Sequence, residues 1–501
     1  MGGRSARVAL RTQPQPIVNP CPPGQIGGQY RPLSDSQLQA IVDSAFEILA
    51  TIGMGEVPPK LFDAALKNGG VRSAENRLLF PRSMMEDIIA GACKSFWFHG
   101  RNGNEGFEVG GDRVYFGTGG AAVQTLDLDQ GHYRPSTLKD LCDFTRLVDT
   151  LDNISWFTRC CIATDIADPV QLDLNTAFAL ARGTNKPVGT SFSIAESVDP
   201  IIDMFDAILD GEDEFRHRPF CKADISPVIS PLRFGEDAWE VACACVRRGV
   251  PINAIIAAQS GATAPAPLAG MLAQTTAETL AGLAMVNLIE PGYPMIFSNW
   301  PFVVDLRTGS FSGGGGEISL LNAAAAQISN HLGLPSGVAS SMSDAKAIDA
   351  QMGSEKAMSA LAAGLSGANM VYESAGMSAS LLGVSFEAFV IDNEMLAHLQ
   401  RMVRGIEVND ETLGFETIRS AVFNEGHFLA KQQTLDAMER DYFHPSLADR
   451  NDPDTWAENG QTDIWSTARS KAKDVLRNHH PNYMDRNTEE KIRQNFSIQV
   501  D

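Results

Sequence analysis

The chain has 501 residues, with 61 Asp and Glu against 40 Lys and Arg, a formal net charge of −21. So acidic a protein has no electrostatic grip on phosphate backbones or anionic headgroups, which disfavours nucleic acid and membrane surfaces as partners. There is also no uncharged apolar run of the roughly 18 residues a bilayer span needs, and the N-terminus lacks the apolar core of a secretory signal.

In chain order, residues 1–30 are rich in proline and glycine and read as an extended arm. Ser34 then opens a helix with Gln37 at capping-box spacing, and Leu38, Ile41, Val42, Ala45, Phe46 and Leu49 form one apolar face before Gly53. Further helices at 58–68 and 83–92 make 31–111 a mainly helical N-terminal region. From 112 to 404 the pattern alternates. Strands are predicted at 113–118, 154–163, 187–194, 219–229, 250–258, 293–303, 334–342 and 368–374. The helices that follow them are predicted at 136–150, 170–182, 198–210, 236–248, 267–289, 317–332, 345–366 and 386–403. Eight strand–helix units in a row predict an α/β fold, a (β/α)8 TIM-type barrel, whose ligands sit at the carboxyl ends of the strands. Residues 405–501 read as a helical extension that packs on the barrel or on another subunit, and a homo-oligomer is expected.

The 8 cysteines show no CxxC or Cys/His ligand spacing, so they are read as reduced thiols of a cytoplasmic protein. The 9 histidines show no HExxH or HxH pattern, and no metal centre is expected. The run Gly313–Gly316 before a helix is either an anion-binding nest or a flexible loop, and without a P-loop lysine the loop is favoured. Lys222 and Lys346 are candidates for Schiff-base chemistry, with a surface role favoured for Lys346. Asp224 stands out as a carboxylate in an apolar strand, where it needs a partner or a ligand. Ser343 and Asp344 sit where a strand hands over to a helix, so a helix cap and a ligand contact are both open. Tyr115, Trp156, Phe192, Phe297, Trp300, Phe302, Tyr372 and Phe386 lie near strand ends or open a helix, and a cluster of such rings suits an organic cation.

The segments VYFGTGG (114–120), SDAKAIDAQMGSEKAMSALAAGLSGANMV (343–371), RGIEV (404–408), and EGHFLAKQQTL with HPSLADR within 425–450 resemble the trimethylamine methyltransferase family. The resemblance implies an α/β barrel that transfers a methyl group to the cob(I)alamin of a separate corrinoid protein, which this chain would not itself bind tightly. The archetypal members contain pyrrolysine, whereas this chain has only standard residues, so it looks like the glycine betaine branch of the family. A quaternary ammonium leaves as a neutral amine and needs no general acid. On this reading Asp224, Glu373 and Asp344 are the expected catalytic carboxylates. Tyr115, Phe297, Trp300, Tyr372 and Phe386 are expected to cradle the ammonium, and Ser343 and Gln351 to fix the far end of the substrate. The alternatives are a demethylase with a folate-linked acceptor and a non-catalytic binder of quaternary amines.

Overall fold

A computed structural model describes residues 19–103 and 105–500. The first 18 residues of the expected arm fall outside these. The remainder of the arm includes a short strand, Gln25–Ile26, paired antiparallel to Arg113–Phe116.

All eight predicted strands form: β1 (Arg113–Phe116), β2 (Phe157–Thr158), β3 (Val188–Thr190), β4 (Cys221–Ile225), β5 (Ile252–Ile256), β6 (Met295–Asn299), β7 (Ser336–Ala339) and β8 (Met370–Tyr372). From β2 to β8 each pairs in parallel with the next, and β8 pairs in parallel with β1. Between β1 and β2 there is a parallel bridge, Gly117 to Trp156, beside a 2.8 Å hydrogen bond from Ser155 N–H to the Phe116 carbonyl. The sheet therefore curls back on itself, and the fold is α/β and barrel-like.

The N-terminal helices are α1 (Asp35–Thr51), α2 (Pro59–Lys67) and α3 (Arg82–Gly91). Those after the strands are α4 (Leu138–Asp149), α5 (Pro169–Gly183), α6 (Val198–Ile208), α7 (Ala238–Arg248), α8 (Leu268–Ile289), α9 (Gly316–His331), α10 (Ala350–Leu365) and α11 (Phe386–Arg404). Ser34 and Gln37 form the predicted capping box, and the apolar face of α1 is buried residue for residue as its periodicity predicts. That face lies against α8, which α3 also contacts. A helix covered on both its sheet side and its outer side has no solvent-facing polar stripe, and α8 is buried continuously from Met271 to Asn287, with its few polar side chains buried too. One apolar cluster accordingly runs from Leu38 in α1 to Ile252 in β5.

Three features depart from the expected pattern. The N-terminal region, read from the sequence as mainly helical, also contains strands. Ser95–His99 and Gly106–Gly110 form a hairpin whose Phe98, Phe107 and Val109 pack on Tyr115 and Trp156, plugging the amino end of the barrel. Short antiparallel strands also build up the opposite rim, among them Phe302–Asp305 with Ser310–Ser312, and Gln124–Leu126 with Tyr133–Pro135. Helix α10 begins at Ala350, because Asp349 caps it, and not at 345. Among the described residues no helix is long and apolar enough to cross a membrane, and the eight cysteines are all unpaired.

Candidate functional site

The pleat of β4 turns Cys221, Ala223 and Ile225 toward the helices and Lys222 and Asp224 toward the interior. The carboxylate that the apolar strand isolates finds its partners inside the barrel. Lys222 Nζ donates to Asp224 Oδ1 at 2.5 Å, Asn253 Nδ2 from β5 donates to the same oxygen at 2.6 Å, and the Ser298 hydroxyl from β6 donates to Asn253 Oδ1. Asp224 Oδ2 is buried with no hydrogen-bond partner among the described residues. Burial pushes the Lys222 ammonium below its ordinary pKa and the Asp224 carboxylate pulls it back up. The ammonium also lies 4.7 Å from the centre of the Tyr372 ring. It fits because β3 carries glycine opposite: a Cβ on Gly189 would stand 2.7 Å from Lys222 Nζ. Lys222 is thus an internal counter-ion with its charge engaged on two sides, which weakens the Schiff-base reading.

Beside this network the aromatic rings gather. The Tyr372 ring centre lies 5.3 Å from Trp300 and 5.3 Å from Trp156, and Trp300 lies 6.2 Å from Phe302. The indole N–H of Trp300 is buried without a partner among the described residues. Glu373 follows Tyr372 at φ +62°, a left-handed conformation that strains a non-glycine residue. It is 1 % exposed, and its Oε2 has no partner among the described residues. Burial raises its pKa to about 8, with the Asp224 charge adding to the rise and Lys356, Arg159 and Lys222 opposing it. Burial thus favours the protonated form of Glu373. A Cβ at Gly120, whose φ is +107°, would stand 3.0 Å from Glu373 Oε2, so the GTGG turn after β1 leaves room for this carboxyl. Behind it, Lys356 Nζ donates to the Ser341 carbonyl at 2.7 Å and pairs with Asp392 at 3.2 Å. Asp392 also accepts from Gly376 N–H at 2.8 Å, and burial raises its pKa.

Of the expected site residues, the structure brings together Asp224, Glu373, Trp300 and Tyr372. The others are elsewhere. Tyr115 lies at the amino end of the barrel, stacked on Phe107 of the plugging hairpin at 4.1 Å. Phe297 shares a strand with the inward-facing Ile296 and Ser298, and the pleat sends it outward into the helix-side core. Phe386 stacks on Phe144 at 4.0 Å between α11 and α4. The polar turn before α10 is occupied by the protein itself. Ser343 Oγ donates to Glu355 Oε2 at 2.7 Å, and the exposed Gln351 donates to Glu355 Oε1 at 2.9 Å. Asp344 is neither the helix cap nor poised toward a ligand. It accepts from Gly313 N–H at 2.7 Å, Gly314 N–H at 3.2 Å, Ser312 Oγ at 3.0 Å and Ser380 Oγ at 2.8 Å. The glycine run does form a nest of N–H groups, and the anion in it is the chain's own carboxylate.

Sequence reasoning misses Asn253, Ser298, Lys356, Asp392 and Arg159. A signal exists for Lys356, a lysine on the buried face of a small-residue helix, and for Arg159, a cation in the apolar segment FTRCC. Asn253 and Ser298 carry no such mark.

The sequence profile of the trimethylamine methyltransferase (MTTB) family matches residues 1–499. Among curated relatives, the chain is 29% identical over 472 residues to the glycine betaine methyltransferase of Desulfitobacterium hafniense (strain Y51), covering 94% of this chain and 97% of that one. It is 32% identical over 466 residues to the trimethylamine methyltransferase MttB of Methanosarcina barkeri (strain Fusaro / DSM 804), covering 92% and 93%. Among solved structures, the monomethylamine methyltransferase MtmB of Methanosarcina barkeri aligns over 90% of this chain and 95% of its own, with a TM-score of 0.48 and 14% identity. By the span of the profile match, the chain belongs to the trimethylamine methyltransferase (MTTB) family.

Proposed function

We propose that this chain is a cytoplasmic methyltransferase that takes a methyl group from a quaternary amine such as glycine betaine and delivers it to the Co(I) corrinoid of a separate protein. The curled sheet is read, within this proposal, as a (β/α)8 barrel with the reaction at the carboxyl ends of its strands. The observation that carries the choice of amine is the buried Asp224 Oδ2, which has no partner among the described residues and whose charge acts on Tyr372, the ring that lies 5.3 Å from Trp300. With Lys222 seated against Tyr372, the neighbouring Trp300 is the ring we assign to the ammonium. The corrinoid supplies the nucleophile, and this assignment rests on the family resemblance. The chain's own residues orient the methyl–nitrogen axis and exclude water. As the C–N bond breaks, its electron pair leaves with a neutral tertiary amine. Positive charge then fades beside Asp224, and a cradle that held the cation more tightly would slow the step.

Glu373 favours a second reading. A carboxyl that holds its proton to about pH 8 can donate it to a departing amine, which a tertiary amine requires. Purified protein mixed with reduced cobalamin and either glycine betaine or trimethylamine separates the two. Methylated cobalamin with glycine betaine is the expected outcome, methylation with trimethylamine alone supports the second reading, and binding without transfer to cobalamin or to a folate acceptor removes both.

We further propose that the chain is a homo-oligomer, joined through the extension after α11. Helices Asp410–Leu413, Phe415–Phe423 and Gln432–Arg440 bury only Ala421 among their own residues. Ile406, Phe423 and Leu429 are 88%, 81% and 81% exposed, and Val408, Leu413, Phe415, Ile418 and Val422 are also bare. At roughly 150 Å² per large side chain this is on the order of 1,000 Å² of apolar surface, against about 800 Å² per partner in a stable interface. Such a segment lacks a core of its own and needs permanent cover. A second copy supplies that, whereas a corrinoid protein must leave at each turnover. Sedimentation is expected to show an oligomer that Phe415→Asp with Phe423→Asp dissociates; a wild-type monomer would overturn the proposal.

A further inference from the structure

The carboxyl end of β2 carries a cation that the interior network does not use. Arg159 follows Thr158, and its N–H donates to the Gly189 carbonyl at 3.0 Å, which seats it at the rim between β2 and β3. It is half-buried, and among the described residues its guanidinium makes a single side-chain hydrogen bond, from Nη2 to Ser191 Oγ at 3.1 Å. Two carboxyl groups feel its charge, Asp173 and Glu373, and neither forms an ion pair with it. Asp173 gives its oxygens to Ser193, accepting from N–H at 2.7 Å and from Oγ at 2.7 Å. Glu373 Oε2 has no partner among the described residues, and burial favours the protonated form of its carboxyl.

The other interior cations of this site are balanced. Lys222 is paired with Asp224, and Lys356 with Asp392. Among the described residues around the site, Arg159 is the cation left over. A half-desolvated guanidinium keeps most of its fork of N–H donors unspent, and that fork matches a carboxylate. The turn after β1, which lies between β8 and β2, presents glycines to the Glu373 carboxyl. A Cβ on Gly119 or Gly120 would come within 3.0 Å of a Glu373 carboxyl oxygen. Ser343 and Gln351, the expected anchors for the far end of the substrate, are committed to Glu355, so that end needs another partner.

We infer that Arg159 binds the carboxylate of a zwitterionic quaternary amine whose ammonium lies toward Trp300 and Asp224, an inference that rests on the methyl-transfer reading above. The substrate class is then N-methylated amino acids, and amino alcohols and simple tetraalkylammonium ions are poor ligands. The zwitterion meets a cation at one end and an aromatic ring with a carboxylate oxygen at the other, so neither charge is desolvated unpaired.

Calorimetry on the full chain tests this with four probes: glycine betaine, choline, 3,3-dimethylbutanol and 3,3-dimethylbutyrate, the last of which keeps the carboxylate and replaces the nitrogen by carbon. In wild type, 3,3-dimethylbutyrate is expected to compete with glycine betaine, and the uncharged 3,3-dimethylbutanol is not. Arg159→Gln is expected to weaken glycine betaine binding about ten- to a hundred-fold, the range for losing a hydrogen bond to a charged group. Choline binding stays unchanged, and Arg159→Lys restores part of the loss. Glycine betaine affinity insensitive to Arg159→Gln overturns the inference, as does an equal loss for choline or, without any variant, failure of 3,3-dimethylbutyrate to compete. These binding shifts without methyl transfer from any amine would remove the transferase reading and leave Arg159 as the carboxylate anchor. Transfer with binding indifferent to Arg159 would do the reverse.

Discussion

Replacing Lys222 with methionine is expected to destabilise the protein by about 3–5 kcal/mol, the cost of stranding one member of a buried ion pair. The ammonium is fully buried and the Asp224 side chain nearly so. Once Lys222 is removed, the Asp224 charge keeps only the amide of Asn253. Lys222→Met combined with Asp224→Asn is expected to recover most of the loss, because an amide can be satisfied by Asn253 and its neighbours without a counter-ion. Urea denaturation of the two single variants and the double variant gives the coupling directly. Additive losses would mean that the two side chains do not act as a pair. On activity, Asp224→Asn is expected to weaken amine binding while the fold survives, since Lys222 can relax toward Tyr372. Unchanged binding and unchanged transfer would remove Asp224 from the site.

Glu373→Gln is expected to change how stability depends on pH. In the folded protein the carboxyl holds its proton up to about pH 8, against 4.5 for the ordinary value. Between those two pH values the folded state keeps a proton that the unfolded chain has released, so stability falls as pH rises through the window and is level above it. Holding one such proton costs about 1.4 kcal/mol for every pH step in the window, so the fall attributable to Glu373 is on the order of a few kcal/mol. The groups facing it, Lys356, Asp224, Arg159 and Lys222, remain in the variant. Asp392, raised in the same direction, remains too, so wild type minus variant isolates Glu373. The glutamine protein should gain on wild type steadily from about pH 5 to about pH 8. A constant difference would show that Glu373 is ionised at neutral pH. The same variant bears on chemistry. Transfer from a quaternary amine is expected to survive, because no proton is needed, whereas transfer from a tertiary amine would fall by roughly 100-fold or more if Glu373 is its general acid.

The candidate site is legible in part from the sequence. Asp224 stands out because a charge inside an apolar strand has no local explanation, and Tyr372, Glu373 and Trp300 because they end strands. Phe297 departs from its expected place by a single step of the pleat, since one residue's difference in strand phase moves a side chain from the interior to the helix layer. Tyr115 belongs to the opposite end because β1 is offset against β8: Tyr115 pairs with Met370, the first residue of β8, and its ring meets the hairpin plug. Ser343, Asp344 and Gln351 do form a polar cluster, but the sequence does not say that Glu355 and the N–H groups of Gly313 and Gly314 satisfy them.

By itself, the sequence determined the eight strand–helix units, the cap and buried face of α1, and the apolar character of α8. These depend on periodicity and on residues three or four positions apart, which the chain carries locally. Only the tertiary structure decided which buried charges are partnered. Lys356 meets Asp392, Asn253 meets Asp224, and Asp344 meets the glycine run across 36, 29 and about 30 positions of chain. Such pairings form when the sheet curls and brings distant strand ends to one rim. The cation left over after them, Arg159, becomes visible only when the charges around it have found their partners.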